Sequence, residues 1–373
     1  MKTLSIVKLV AGGEGLAFLD GKAVFVPGVL PGELVDVTID EHHRDFDRAV
    51  LAAVLQPSPH RVTPGCRYAG SCGGCDWLHI SYEEQLRQKV SIAREALRRT
   101  GRIERETLEI APSPAFASRN RAQIHRAEPG LGYMGAGSHR LITVERCPIV
   151  APAVDRLFSG AAPAPAGLDR FTAFGADEWL AVEGRDDDRD LRVTVAGREI
   201  LFSVGCFFQS NLAVLPALVT WAREGLLGDV AADLYAGVGL FGAFLSESFS
   251  RIICVESSAM SLSYARRNVP GAANEFHPMS VEDWIAGGAP AGRTPLDAVV
   301  VDPPRTGLGP VVRAWLREAA PRRLVYVSCN PVTLARDLGE LVAGGFVLDD
   351  LRLFDFYPQT SHVEAVAKLR SPA

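Results

Sequence analysis

From Val214 onward the chain alternates short apolar runs with segments of helix length, and this rhythm constrains its fold more than any other feature. The runs lie at 230–235, 251–255, 297–301 and 323–328. Strands that are apolar throughout must be buried on both faces. Strands alternating with helices place those helices on the two faces of a mostly parallel sheet. The predicted fold class is therefore α/β, doubly wound. Sheets of this kind bind ligands beyond the carboxyl ends of their strands, so the residues just past each run are the candidate site.

The first run leads into Asp233-Leu-Tyr-Ala-Gly-Val-Gly239, where glycines let a ligand approach the backbone closely. The second ends in Glu256, placed to accept hydrogen bonds from a ribose diol. There is no third glycine in the dinucleotide spacing and no Gly-Lys-Ser/Thr phosphate loop, which favours an adenosyl ligand. The third run ends in Asp302-Pro-Pro-Arg305; tandem prolines cannot continue a ladder and stiffen the exit, so a carboxylate there can orient a substrate. The fourth ends in Ser328-Cys329-Asn330-Pro331, ahead of a helix expected from Thr333. A cysteine there sits where the helix dipole favours thiolate, with a buried structural thiol as the alternative. Ser361-His362-Val363-Glu364 opens a last strand and brings Glu364 toward the same edge, as a candidate general base.

The N-terminal residues read differently. Short β-type runs separated by glycine turns fill 1–56, with Asp20-Gly21 as a hairpin signal, and predict a small barrel of the oligonucleotide-binding type. A loop-rich segment follows with Cys66, Cys72 and Cys75, and Cys147 stands alone much later. Four such cysteines suit a tetrahedral thiolate site; the lone fourth ligand favours an iron–sulfur cluster over zinc without deciding between them. Ser81, with Glu84 three residues on, predicts a capped helix from Ser81 to about Thr100. Residues 115–205 look strand-like and irregular, with a surface loop at 159–167.

Seven cysteines, odd in number and unevenly spread, argue against a disulfide framework and for a reducing compartment. No secretory signal and no apolar run of bilayer-spanning length is present, so the expectation is a cytoplasmic protein without membrane contact. The net charge of −5 does not favour nucleic-acid binding as a whole, yet ten basic residues against four acidic ones fall between Gln85 and Arg126.

Taken in order, these motifs resemble those of bacterial RNA uridine-C5 methyltransferases that carry an N-terminal TRAM domain. The similarity covers almost the whole chain: GGEGLAFLDGKAVFVPGVLPGE, CRYAGSCGGCDWLHISYEEQLRQK, FFQSN, DLYAGVGLFG, CVE, DPPRTG, VYVSCNP and YPQTSHVE. It implies a TRAM barrel over 1–56, an iron–sulfur and central β region over 57–205, and a class I (Rossmann-like) S-adenosylmethionine-dependent domain over 206–373. It implies a [4Fe–4S] cluster on Cys66, Cys72, Cys75 and Cys147. It also implies cofactor contacts from Gln209, Tyr235, Glu256 and Asp302, Cys329 as nucleophile and Glu364 as base. The implied partner is ribosomal or transfer RNA, with a monomer as the default assembly. One departure is Leu240, where some members carry Asn, which puts a polar cofactor contact in doubt. Cytosine-C5 methylation, amino-group methylation and a non-catalytic RNA-binding iron–sulfur protein are the alternatives.

Overall fold

The computed structural model describes residues 1–127, 129–290 and 296–371. Strands β1 (Lys2–Ser5), β2 (Lys8–Leu9), β3 (Gly15–Leu19), β4 (Lys22–Val26), β5 (Leu34–His42) and β6 (Phe46–Gln56) form one sheet in the order β1-β5-β6-β4-β3-β2. Period-two alternation puts Leu4, Ala17, Val24, Val26, Val35 and Val37 into its own small core. Asp20 and Gly21 both take positive φ, at 51° and 83°, as the tight β3–β4 hairpin expected from the sequence requires.

Helix α1 (Tyr82–Ala96) follows the cysteine loop. The helical path ends where predicted, but over Leu97–Gly101 the backbone widens into a π turn, and Arg102 ends it in the left-handed region. The cause is close packing, since a Cβ on Gly101 would lie 2.6 Å from the carbonyl oxygen of Ala335. The predicted capping box is also absent. The Ser81 side chain makes no cap bond, and Glu84 turns instead to Arg87 and Gln88, each at 2.6 Å.

Strand β7 (Glu109–Ala111) belongs to the C-terminal sheet described below. The middle of the chain builds a five-stranded antiparallel sheet from β8 (Arg121–Arg126), β9 (Leu131–Met134), β10 (Leu141–Thr143), β11 (Arg170–Ala176) and β12 (Trp179–Val182). Helix α2 (Pro152–Phe158) covers it through Val154 and Leu157, and a hairpin of β13 (Leu191–Val195) and β14 (Arg198–Phe202) leads out.

Helix α3 (Leu215–Arg223) precedes the doubly wound part. Its strands are β15 (Gly228–Leu234), β16 (Phe249–Val255), β17 (Glu275–His277), β18 (Ala298–Val301), β19 (Arg323–Ser328), β20 (Val347–Phe354) and β21 (Glu364–Arg370). With β7 they form one eight-stranded sheet in the order β17-β16-β15-β18-β19-β21-β20-β7. The first five run parallel and β21 runs antiparallel to both neighbours. Alternate residues of one strand feed two cores: Ala298 and Val300 face α3, α4 (Leu240–Leu245) and α5 (Ala259–Asn268). Val299 and Val301 face α6 (Val281–Ala286), α7 (Pro310–Ala319), α8 (Pro331–Ala343) and α1. Segment 57–205 is therefore not one structural unit: β7 extends the C-terminal sheet, and Ala93, Ala96, Leu97 and Leu108 help to fill its second core.

Candidate active site

The strand order reverses between β15 and β18, and open sheets of this kind bind ligands in the crevice beyond the carboxyl ends of their strands at such a switch point. Asp233 stands there near the end of β15, fully buried. One carboxylate oxygen accepts the Gly242 N–H at 2.7 Å, and the other has no hydrogen-bond partner among the described residues. Burial, reinforced by the nearby Asp302 and Glu256 charges, pushes its carboxyl up to about 7. A buried acid with an unused oxygen is a site waiting for a donor or a cation.

Beyond it the chain turns at Tyr235, whose φ of 62° is left-handed. The two glycines of this turn have separate duties. A Cβ on Gly239 would lie 2.9 Å from the Ala265 backbone, so this glycine lets α4 and α5 touch, whereas Gly237 faces open space. Glu256 closes the turn: Oε2 accepts the Gly237 N–H at 3.0 Å and keeps a lone pair free, while Oε1 accepts the Ser258 N–H at 2.7 Å and the Ser257 hydroxyl at 3.3 Å. Leu240 is buried in the apolar core and offers no polar contact to the crevice.

Asp302 follows β18, and its enclosure raises its carboxyl to about 7. Gln209 reaches it across the crevice at 3.4 Å. Cys329 and Glu364 meet because β21 is antiparallel to β19. Ser328 pairs with Ala365, which leaves the next residue of one strand beside the preceding residue of the other. Glu364 is buried; that burial and the Asp302 charge hold its carboxyl well above the usual carboxylate range, with Arg305 opposing. The Cys329 thiol is pushed up to about 11 by burial and by the Glu364 charge, again opposed by Arg305. The expected helix end does lie beside the thiol: Asn330 caps α8, its side-chain oxygen accepting the Val332 N–H at 3.0 Å, and burial acts against the thiolate there.

The four cysteines set apart by the sequence are all unpaired and line a single cavity of about 510 Å³, which they share with Arg305, Tyr357 and His362. The same cavity takes Gln123, His125 and Tyr133 from the central sheet, and Thr360 and Ser361 from the segment before Glu364. Among the described residues no three His, Cys, Asp or Glu side chains converge on a single ion, as a zinc tetrahedron with Zn–S near ~2.3 Å requires. Burial and mutual proximity raise the Cys72, Cys75 and Cys147 thiols together. Four thiols on one cavity wall are a donor set of the kind that holds a polynuclear centre, here with Arg119, Arg146 and Arg305 around them.

The basic stretch from Gln85 to Arg126 proves mixed. Arg87 pairs with Glu83 and Glu84, Arg99 with Glu95, and Lys89 is wholly buried against Asp355. Arg119 lines the cavity, and Arg121 lies over the exposed ring of Phe207 at 5.5 Å. Sequence reasoning passed over three residues at the centre. Arg305 was seen only as part of a proline turn, although its position directly after Asp302-Pro-Pro was a usable signal. Tyr357 adjoins Glu364 and Cys329, and Lys89 braces the loop that leads to Glu364; neither carries a local signature.

A switch-point crevice with a glycine turn, an acid closing that turn and a second acid on a proline exit, on a sheet of this strand order, defines a class I S-adenosylmethionine-dependent methyltransferase. The comparisons narrow the class. Residues 292–371 match the family model described as tRNA (Uracil-5-)-methyltransferase, and residues 3–52 match the TRAM domain. An RNA methyltransferase of Treponema denticola is 31% identical, the alignment covering 97% of each chain. The 23S rRNA (uracil(1939)-C(5))-methyltransferase RlmD of Pseudomonas savastanoi is also 31% identical, over 98% of this chain and 92% of that one. The crystal structure of Pyrococcus abyssi tRNA (uracil-54, C5)-methyltransferase with S-adenosyl-L-homocysteine superposes with a TM-score of 0.75 at 26% identity. It covers 99% of this chain and all of that one. The chain belongs to the RNA (uracil-C5) methyltransferase family. Among the described residues no helix is long and apolar enough to cross a membrane.

Proposed function

We propose that this enzyme methylates carbon 5 of a uridine in ribosomal or transfer RNA, with Cys329 as covalent nucleophile and Glu364 as general base. The observation that carries it is the pairing of β19 with β21, which sets a thiol and a carboxyl side by side at the mouth of the methyl-donor crevice. Carbon 5 of uracil is a poor nucleophile. A thiolate that adds to carbon 6 turns the ring into an enolate whose carbon 5 can accept a methyl group, splitting one hard step into easier ones.

S-adenosylmethionine, when bound, supplies the methyl group from its sulfonium. The chain's own residues do the rest. Asp233, Asp302, Gln209, Glu256 and Tyr235 line the crevice that would hold it, and the raised acids among them accept a cationic ligand by ionising. Arg305 favours the thiolate of Cys329. Glu364 then removes the proton left on carbon 5 and the cysteine departs. The carbon-5 atom of a stacked base is out of reach, so the uridine must be turned out into the cavity beside Arg305 and His362. The sheet over residues 1–56, with Arg119 and Arg121, would hold the flanking backbone.

Cys66, Cys72, Cys75 and Cys147 would hold a [4Fe–4S] cluster in a structural role, their donor set and shared wall fitting it. Protein purified without oxygen should then contain about four iron atoms and equal acid-labile sulfide per chain, both lost in Cys147→Ser. The deciding assay incubates the enzyme with labelled S-adenosylmethionine and unmodified transcripts of 23S rRNA and tRNA, with Cys329→Ala alongside. Labelled 5-methyluridine from wild type alone supports the proposal; labelled 5-methylcytidine refutes the base, and activity in Cys329→Ala refutes the mechanism.

A further inference from the structure

Between Phe354 and Glu364 the chain lies outside any strand, in a strap that delivers the base to the cavity. The strap is held from one side by residues far away in sequence. Lys89 of α1, fully buried, donates to the Asp355 carboxylate at 2.6 Å and to the Tyr357 carbonyl at 2.9 Å. Gln85, one turn earlier, exchanges two bonds with Gln359: its amide donates to the Gln359 side chain, and its side-chain oxygen accepts the Gln359 N–H, both at 2.9 Å. The Trp77 N–H donates to the Gln359 carbonyl at 3.0 Å. The Asp76 carboxylate accepts the Ser361 N–H with both oxygens, at 3.0 and 3.2 Å.

Gln359 itself sits at a φ of 66°, a left-handed conformation that a residue with a side chain keeps only where its surroundings over-determine it. The N-terminal sheet closes on the same point. The Trp77 indole N–H donates to the Gly13 carbonyl at 3.1 Å. A Cβ on Gly13 would lie 2.5 Å from the Asp76 carboxylate and 2.8 Å from the Ser361 side chain. Asp76 is therefore the place where the N-terminal sheet, the cysteine loop and the strap meet. It is also exposed, so its hydrogen bond to the strap is not needed to fill a core.

We propose that Asp76, seconded by Gly13, is a positioning residue for the proton-removal step: it fixes the strap so that Glu364 stands against carbon 5 of the Cys329 adduct. This rests on the assignment of Glu364 as general base. In that step Glu364 takes the carbon-5 proton, the C–H electrons form the C5–C6 double bond, and the C6–S bond breaks to return the Cys329 thiolate. Addition and methyl transfer do not use Glu364. A loosened strap therefore stalls the reaction at the methylated covalent adduct rather than before it.

The test follows single turnovers of the full-length enzyme, purified without oxygen, with unmodified 23S rRNA and tRNA transcripts and labelled S-adenosylmethionine. Protein–RNA adduct is read on denaturing gels. Glu364→Gln serves as reference, with Asp76→Ala, Asp76→Asn and Gly13→Ala as the variants. The expected result is adduct in Asp76→Ala and Gly13→Ala as in Glu364→Gln, its resolution slowed tenfold or more while its formation changes less than twofold. Asp76→Asn, which keeps an acceptor oxygen for the Ser361 N–H, should return most of the resolution rate. If Glu364→Gln traps adduct and Asp76→Ala resolves it at the wild-type rate, the positioning role is wrong and the base assignment stands. If Asp76→Ala slows adduct formation and resolution alike, its role is merely structural and the proposal also fails. If Glu364→Gln traps none, the base assignment falls and the proposal with it.

Discussion

Replacing Lys89 by Met should cost the protein a large share of its stability although the residue lies in a stretch rich in ordinary surface cations. Its ammonium and the Asp355 carboxylate are both fully buried and 2.6 Å apart, and the same nitrogen satisfies the Tyr357 carbonyl. Met fills most of the stem's volume, so little cavity is made. The loss comes from an uncompensated buried carboxylate, and removing one partner of such a pair costs about 3–5 kcal/mol. Set against a total of roughly 5–15 kcal/mol for a folded protein, that is at least about a fifth, and about two fifths at the middle of both ranges. At ~2 °C per kcal/mol for a chain of this length the midpoint should fall by roughly 8 °C. The double variant Lys89→Met/Asp355→Leu removes both charges and should recover at least ~2 kcal/mol, because an apolar pair in such a site is often neutral. Thermal and urea unfolding of wild type, both single variants and the double variant measure the coupling. A Lys89→Met protein within ~1 kcal/mol of wild type, or a double variant no better than the singles, would refute the idea that an orphaned buried charge dominates the loss.

Gly239→Ala combines a left-handed φ of 79° with a contact of 2.9 Å to Ala265, and should lower stability by about 2–3 kcal/mol in urea titrations. Gly237→Ala faces open space but keeps a left-handed φ of 53°, so it should cost only the backbone strain of about 1–2 kcal/mol and weaken S-adenosylmethionine binding, as calorimetry would show. Asp233 and Asp302 titrate near 7 against 3.8 in the unfolded chain. Between those values the folded state holds more protons than the unfolded one, so their contribution to stability falls as pH rises through this window. A cationic ligand favours the ionised forms, so affinity for S-adenosylmethionine should rise up to about tenfold per pH unit below 7 and level off above it. A flat affinity profile would contradict the assignment of these acids to the ligand crevice.

What could be read in advance depended on whether a feature was local. DAVVV and RLVYV announce buried parallel strands because no polar residue interrupts them, and both lie where expected. Asp20-Gly21 likewise specifies its hairpin through backbone conformation alone. Strand β7 could not be seen: Glu-Ile-Ala has no pattern, and it becomes a strand only because the edge of β20 accepts it at Arg352–Phe354. Lys89 was misjudged for the same reason, since nothing near it in sequence says that Asp355 will bury it. The Cys329 environment was half legible. Its place at a strand exit and the approach of Glu364 to the same edge were both readable, whereas the burial that raises the thiol was not. Which residues neighbour one another at the site was thus partly readable, and the sign of their electrostatics was not.

The membership of β7 in the C-terminal sheet has a consequence for how the protein is made. Its residues leave the ribosome well before β20, the strand they must pair with, and α1 emerges with its apolar side bare while the strands it will cover are still unsynthesised. The N-terminal sheet has its own core and can form early. The second core of the C-terminal sheet cannot close until the last strand has been released, because β21 lies between β19 and β20. Domains generally fold in the order of synthesis, and exposed apolar surface and unpaired strand edges invite aggregation. Folding from the N-terminus is therefore suspended at α1 and β7, whose apolar side and strand edge stay uncovered until β20 and β21 have been made.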